Sequence, residues 1–197
     1  MEAPTTLLFD VMGTLVHDPF YEDVPRALGL PFERLVAEKH PTAWIDFELG
    51  DLTEAEFLAQ FFADGRAYDH AQMVAAFEQH FRLLPGIEAL LGELATAGHR
   101  PHLFSNYPEW WRRIEARTGL SRFADWSFVS CVTRRRKPDP EAYLHVVRTL
   151  EVAPRDCLFV DDVEKNVLAA RRLGFAAHRF TGAAELRREL QRCRLLG

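Results

Sequence analysis

The hydrophobic pattern of this chain changes character twice. An apolar, β-suited run, Thr6-Leu7-Leu8-Phe9, stops at Asp10 and is followed by Val11-Met12-Gly13-Thr14. Such a run predicts a buried strand that delivers a carboxylate to its C-terminal end, with Gly13 permitting a sharp turn. After Pro19 strand signals vanish as far as Phe81, and helical spacing takes over. Pro31 precedes a helical segment over 34–39, and Pro41 one over 42–49 that ends at Gly50. Thr53-Glu54-Ala55-Glu56 reads as a capping box, with Phe57, Leu58, Phe61 and Phe62 at helical spacing behind it. A further helix is predicted over 70–81, and Pro85-Gly86 closes the block.

Beyond that point helical periodicity alternates with short apolar runs. The pattern predicts helices over 87–97, 109–117, 140–150, 165–173 and 183–193, and strands over 101–104, 126–131, 157–160 and 176–180. Strand–helix alternation implies an α/β fold, a three-layer, Rossmann-like parallel sheet with helices on both faces. The helical block at 18–84 is then an insertion, and residues 1–17 and 85–197 form the sheet-bearing core.

Composition narrows the class. Of 197 residues 48% are hydrophobic and 27% charged, which excludes disordered, collagen-like and coiled-coil chains. With 24 Lys and Arg against 29 Asp and Glu the net charge is -5, so no global attraction for nucleic acid or anionic membrane is expected. The 3 cysteines are odd in number and lack metal-ligand spacing, arguing against a disulfide framework or a zinc site. No run approaches the ~18 apolar residues of a membrane span, and residues 1–8 lack the basic start of a signal peptide. The expectation is a cytoplasmic protein. Nothing in the pattern speaks to oligomeric state.

Three predicted strands stop at polar residues: Asp10, Ser105-Asn106 and Asp161-Asp162. A fourth polar word, Lys137-Pro138-Asp139-Pro140, opens a helix. In open parallel sheets the active crevice lies beyond the carboxyl ends of the strands. Carboxylates gathered there repel unless a hard cation such as Mg²⁺ joins them. Asp10 can then attack phosphorus while Ser105 and Lys137 hold the phosphoryl oxygens. The chemistry suggested is metal-assisted phosphoryl transfer on a small phosphorylated metabolite.

On these residues the chain resembles the haloacid dehalogenase-like hydrolase superfamily, with four motifs in order. They are Leu7 to Leu15 around Asp10, Leu103-Phe104-Ser105-Asn106, Arg136-Lys137-Pro138-Asp139-Pro140, and Leu158 to Asp162 followed by Asn166. More narrowly, Asp18-Pro19-Phe20-Tyr21, Lys39-His40-Pro41 and Ser105-Asn106-Tyr107-Pro108 resemble the plant-type flavin mononucleotide hydrolases and their bacterial relatives. The resemblance implies that the insertion is an α-helical cap and that Asp10 is a nucleophile forming an aspartyl-phosphate. It implies that Ser105 and Lys137 bind the phosphoryl group, with Lys137 also offsetting the charge on Asp10. Asp162 would bind Mg²⁺ directly and Asp161 directly or through water. Asn106 and the backbone of Val11 and Met12 would line the phosphate and metal pocket, the Met12 carbonyl being a metal ligand.

One position departs from the family pattern. Phosphatases of the superfamily carry a second aspartate two residues after the nucleophile as acid and base, and Met12 stands there. Two alternatives follow: a weak or inactive enzyme fold that binds a phosphorylated ligand, and a 2-haloacid dehalogenase, against which the retained Asp161-Asp162 pair argues. His17 and His40 are the candidates to supply the missing proton. Trp44 is the candidate for stacking on a substrate ring, Arg66 for reaching the site from the cap, and Tyr107 for facing the cleft. Arg134 to Arg136 read as a solvated basic face.

Overall fold

The computed structural model describes residues 4–197, so the first three residues of the N-terminal run fall outside the described part. Five strands, β1 (Thr6–Phe9), β2 (His102–Ser105), β3 (Asp125–Val129), β4 (Cys157–Asp161) and β5 (Ala176–Arg179), form one sheet in the order β3-β2-β1-β4-β5. Every pairing is parallel, with Leu8 opposite both His102 and Phe159. The first strand of the chain is thus the middle strand of the sheet.

The helices are α1 (Asp23–Leu28), α2 (Phe32–Glu38), α3 (Ala43–Glu48), α4 (Glu54–Ala59), α5 (His70–Glu78), α6 (Ile87–Thr96), α7 (Trp111–Thr118), α8 (Ser130–Thr133), α9 (Pro140–Leu150), α10 (Glu164–Arg172) and α11 (Ala183–Arg192). Alternate strand residues feed two cores, as the pleat requires. Leu7, Phe9, Leu103, Leu158 and Val160 pack with Leu90 and Leu94 of α6, Ile114 of α7 and Leu186 of α11. On the other face Leu8, Phe104 and Phe159 pack with Tyr143 and Val146 of α9 and Ala170 of α10. A three-layer α/β fold results.

Helices α1 to α5 intervene between β1 and α6. The chain leaves and returns through two segments bonded to each other: His17 N–H donates to the Arg82 carbonyl at 2.9 Å, and Leu84 N–H to that of Leu15 at 2.9 Å. The capping box at Thr53 forms as its residues dictate, with Thr53 and Glu56 satisfying each other's N–H groups; replacing such a cap typically costs about 1 kcal/mol. Above the sheet, Phe47 stacks on Phe57 at 4.7 Å, and both meet the edge of Trp110. The helical block therefore shares a continuous apolar core with the sheet.

Helix α1 carries no clear sequence signal because Pro25 interrupts it. Pro25 is its third residue, within the first turn, where a missing N–H breaks no helical bond. The strand expected to run to Cys131 ends at Val129, because Ser130 opens α8 and donates its hydroxyl to the Glu48 carbonyl at 2.5 Å.

Candidate active site

The carboxyl ends of β1, β2 and β4 converge on the Lys137 ammonium. Lys137 is 1% exposed and spends all three of its protons: on Asp10 Oδ1 at 2.8 Å, the Phe104 carbonyl at 2.6 Å and Asp161 Oδ2 at 2.7 Å. Its neighbours hold it ionised, raising its pKa above the ordinary lysine value against the opposing effect of burial. Asn106 fixes the lysine's backbone with a reciprocal pair of bonds, Lys137 N–H to Oδ1 at 2.8 Å and Nδ2–H to the Lys137 carbonyl at 2.7 Å.

Asp161 is fully enclosed. Besides Lys137 it accepts from Val163 N–H at 2.8 Å and from the Asn166 amide at 3.0 and 3.1 Å. Asp162 is more open, bonded by the Thr14 hydroxyl at 3.3 Å and resting on Gly13. Gly13 adopts φ +75°, and a Cβ there would lie 2.6 Å from Asp162 Oδ2. Two requirements for glycine, left-handed backbone and close approach, coincide at this turn. The buried Thr14 hydroxyl, which also receives Asp162 N–H at 3.1 Å, ties the β1 turn to the end of β4.

Asp10, Asp161 and Asp162 each place an oxygen within 4.8 Å of the others. Burial pushes the Asp10 carboxyl up to about 8, with Lys137 opposing and the two other aspartates adding to the rise. Burial and then Asp161 raise Asp162 as well. Fully ionised, the three carboxyls against one ammonium carry two negative charges, and an all-oxygen donor set of that kind suits a hard divalent cation. Ser105 Oγ, at the end of β2 and 1% exposed, has no hydrogen-bond partner among the described residues. It does not cap the helix that follows. A buried hydroxyl left without a partner is what a site for an oxygen-rich ligand requires.

A cleft of about 280 Å³ opens over this cluster, lined by Asp10, Met12, Asn106, Arg136, Lys137, Asp162 and, from beyond the four motifs, Asp18, Tyr21, Glu48 and Lys165. The Glu48–Arg136 pair joins residues 88 positions apart that no local pattern links. Arg136 is no solvated residue: its Nε and Nη2 donate to Glu48 Oε2 at 3.2 and 2.9 Å, while Trp44 Nε1 donates to Oε1 at 2.5 Å. Burial raises the Glu48 pKa, with Arg136 opposing. Arg134 pairs instead with Asp51.

Several expected site residues lie elsewhere. His17 turns to Asp23, 2.7 Å away, a carboxylate that also receives His80. His40 Nδ1 accepts the Thr42 and Ala43 N–H groups at 3.3 and 3.1 Å and so serves as the cap of α3. Trp44 stacks on Phe77 among Phe47, Phe57 and Trp110, away from the cleft. Tyr107 is buried against Trp44 and Phe81. Arg66 pairs with Glu38 and Asp64, lies over the Phe62 ring and lines a separate hollow with Leu28 and Leu30. Val11 is buried, and its carbonyl is taken up by the N–H groups of Leu15 and Val16 at 2.8 Å each.

A parallel sheet that gathers carboxylates, a buried lysine and an unpartnered serine at its strand ends defines an α/β enzyme. The chain belongs to the haloacid dehalogenase-like hydrolases, whose family model matches residues 4–174. It is 44% identical over 184 residues to flavin mononucleotide hydrolase 1 of Arabidopsis thaliana, a chloroplast protein, covering 93% of this chain and 75% of that one. Phosphoglycolate phosphatase 1 of Pseudomonas aeruginosa is 27% identical over 190 residues, 87% of this chain and 67% of that one. Among solved structures, the magnesium complex of a haloacid dehalogenase family enzyme from Bacteroides thetaiotaomicron superposes with a TM-score of 0.74 at 20% identity, covering 91% and 94% of the two chains. The last likeness bears on fold alone. No helix among the described residues is long and apolar enough to cross a membrane.

Proposed function

We propose that this chain is a Mg²⁺-dependent phosphatase that hydrolyses a small phosphorylated metabolite through an aspartyl-phosphate on Asp10, with flavin mononucleotide as substrate. The observation that carries the reading is the Lys137 ammonium held between Asp10 and Asp161 in the cleft that Asp162 also lines, with the partnerless Ser105 hydroxyl at the adjoining strand end. Residues 18–84 serve as the cap, contributing Asp18, Tyr21 and Glu48 to the cleft.

Asp10 Oδ1 is anchored by Lys137, while Oδ2 has only the long 3.4 Å contact from Thr14 and is free to attack phosphorus. Ser105 donates to a phosphoryl oxygen. Lys137 trades one of its three bonds for another phosphoryl oxygen and so partly neutralises the charge that develops there. Asp10, Asp162 and the Met12 carbonyl would hold the metal, with Asp161 behind them fixing Lys137. When bound, Mg²⁺ neutralises the clustered carboxylates and polarises the phosphoryl oxygens. The 44% identity with the plant enzyme supports the flavin substrate, as does Tyr21, 59% exposed and lining the cleft.

Phosphate release from flavin mononucleotide, measured with Mg²⁺, with chelator and with Asp10→Asn, tests the reading. Chelator and Asp10→Asn should each remove turnover while the far-ultraviolet circular dichroism is retained. Absence of metal-dependent release from flavin mononucleotide and from a phosphomonoester panel would leave a ligand-binding protein disabled at Met12. Turnover of sugar phosphates without the flavin ester removes only the substrate assignment. Chelator-resistant turnover of a 2-haloacid would identify a dehalogenase.

A further inference from the structure

Resting on the phosphatase reading, we infer that Asp18 is the proton donor and acceptor of the reaction, replacing the group that Met12 lacks. A thioether neither gives nor takes a proton, so breakage of an alkyl phosphate ester at this site needs another acid. The cleft contains few groups that qualify. Both oxygens of Glu48 are engaged, one by Trp44 and one by Arg136. Asp161 is committed to Lys137 and Asn166. Asp10 is the nucleophile, and Asp162 belongs to the metal set. His17 is held by Asp23, outside the cleft lining.

Among the carboxyls that line the cleft Asp18 remains, and its setting suits the task. It lines the same cleft as Asp10 and Met12. Its Oδ1 accepts the Phe20 N–H at 3.0 Å in a tight turn, while Oδ2 has no hydrogen-bond partner among the described residues. The backbone around it is fixed on both sides: His17 N–H is bonded to Arg82, and the Pro19 carbonyl receives Asp23 and Val24 N–H at 3.0 Å each. One carboxylate oxygen is therefore anchored and the other is left free. Burial pushes this carboxyl up to about 6, with the Phe20 N–H and His17 opposing and Asp162 adding to the rise; its charge in turn raises Tyr21 and Tyr107. A carboxyl with that value is partly protonated near neutral pH and can serve in both directions.

In the first step an Asp10 oxygen forms a bond to phosphorus as the ester P–O bond breaks, and the Asp18 proton passes to the departing alkoxide oxygen. In the second, the Asp18 carboxylate takes a proton from water as that water's oxygen bonds to phosphorus. The Asp10–phosphorus bond breaks, inorganic phosphate leaves, and the Asp18 carboxyl and Asp10 carboxylate are restored.

The test compares wild type, Asp18→Asn, and Asp18→Asn combined with Met12→Asp, on flavin mononucleotide and on p-nitrophenyl phosphate. Asparagine keeps the Oδ1 acceptor for Phe20, so the turn persists while the proton is lost; thermal melts check this. The p-nitrophenolate leaving group departs without protonation, so kcat/KM should separate the two substrates. General acid catalysis is worth roughly 10²–10⁴-fold. Asp18→Asn should lower kcat/KM on the flavin ester by about that range and on the nitrophenyl ester by less than about tenfold. Adding Met12→Asp should restore the flavin ester activity at least about tenfold, since the proton is then supplied from the turn after β1. Equal losses on both substrates, no loss, or no recovery in the double variant would overturn the inference while leaving the phosphatase reading intact. A wild type inactive on both esters with Mg²⁺ overturns the two together.

Discussion

Asn106 and Lys137, 31 positions apart, are joined by two reciprocal hydrogen bonds of 2.8 and 2.7 Å. The amide side chain acts as a splint that sets the lysine's backbone, so that the ammonium arrives between Asp10 and Asp161. Lys137→Ala is not needed to probe this relationship. Asn106→Ala should lower kcat by about 10–100-fold, as displaced reacting groups typically do, with KM changed far less. Steady-state kinetics on flavin mononucleotide would show this, and an unchanged kcat would mean that the lysine finds its place without the splint.

Gly13 supports Asp162 by having no side chain. Gly13→Ala adds a Cβ at 2.6 Å from Asp162 Oδ2 in backbone at φ +75°. Left-handed backbone alone costs roughly 1–2 kcal/mol in a residue with a Cβ, and the displaced carboxylate would weaken the proposed metal site. The Mg²⁺ concentration giving half-maximal activity should rise at least about tenfold, as single disturbances around metal ligands typically do, and a Mg²⁺ titration measures it.

Arg136 compensates a buried carboxylate, so its removal has a pH signature. Arg136→Ala leaves Glu48 buried without its guanidinium and raises its pKa further above the unfolded value. The folded state then holds the proton more tightly than the unfolded one, so stability falls as pH rises through the carboxylate range. Breaking a buried pair costs about 3–5 kcal/mol; Arg136 is partly exposed, so about 1–3 kcal/mol is expected at pH 8, shrinking toward pH 4 as Glu48 protonates. Urea denaturation at the two pH values checks the sign. A loss independent of pH would assign the effect to packing.

Tyr21 is the exposed aromatic ring among the cleft-lining residues. If it lies against the isoalloxazine ring, Tyr21→Ala should raise KM for flavin mononucleotide by about five- to tenfold, the worth of roughly 1 kcal/mol of aromatic contact. KM for p-nitrophenyl phosphate, whose ring is smaller, should change less. Equal changes on both substrates would remove the flavin contact.

Legibility in the sequence followed locality. Asp10, Ser105, Lys137 and the Asp161-Asp162 pair stand at strand ends or a helix start marked by neighbouring residues, and the fold brings Asp10, Lys137 and Asp161 into direct contact. The parallel sheet was readable from alternation for the same reason. What depended on docking the helical block was not readable. Glu48 and Arg136 meet across 88 positions, and neither carries a local mark of the other. Trp44 was a fair candidate for a substrate ring from its position alone, yet five aromatic neighbours enclose it. His17 and His40 were nearest in sequence to the missing acid, but a carboxylate and a helix end claim them. Asp18 stands in the Asp18-Pro19-Phe20-Tyr21 stretch with nothing local to mark a role, because only the fold shows that one of its oxygens is free.

The sheet order β3-β2-β1-β4-β5 has a consequence for synthesis. The strand that ends at Asp10 is flanked by two strands whose residues follow more than 90 and about 150 positions later. Pairings of such sequence separation form late and slowly, so β1 waits for β2 on one edge and longer still for β4 on the other. Chains ended before β4 lack Asp161 and Asp162 and leave one edge of β1 open, a template for association with other chains. Truncation products should therefore be insoluble rather than weakly active, as sedimentation of chains ended before β4 would show, and the carboxylate cluster is completed only once β4 has been made.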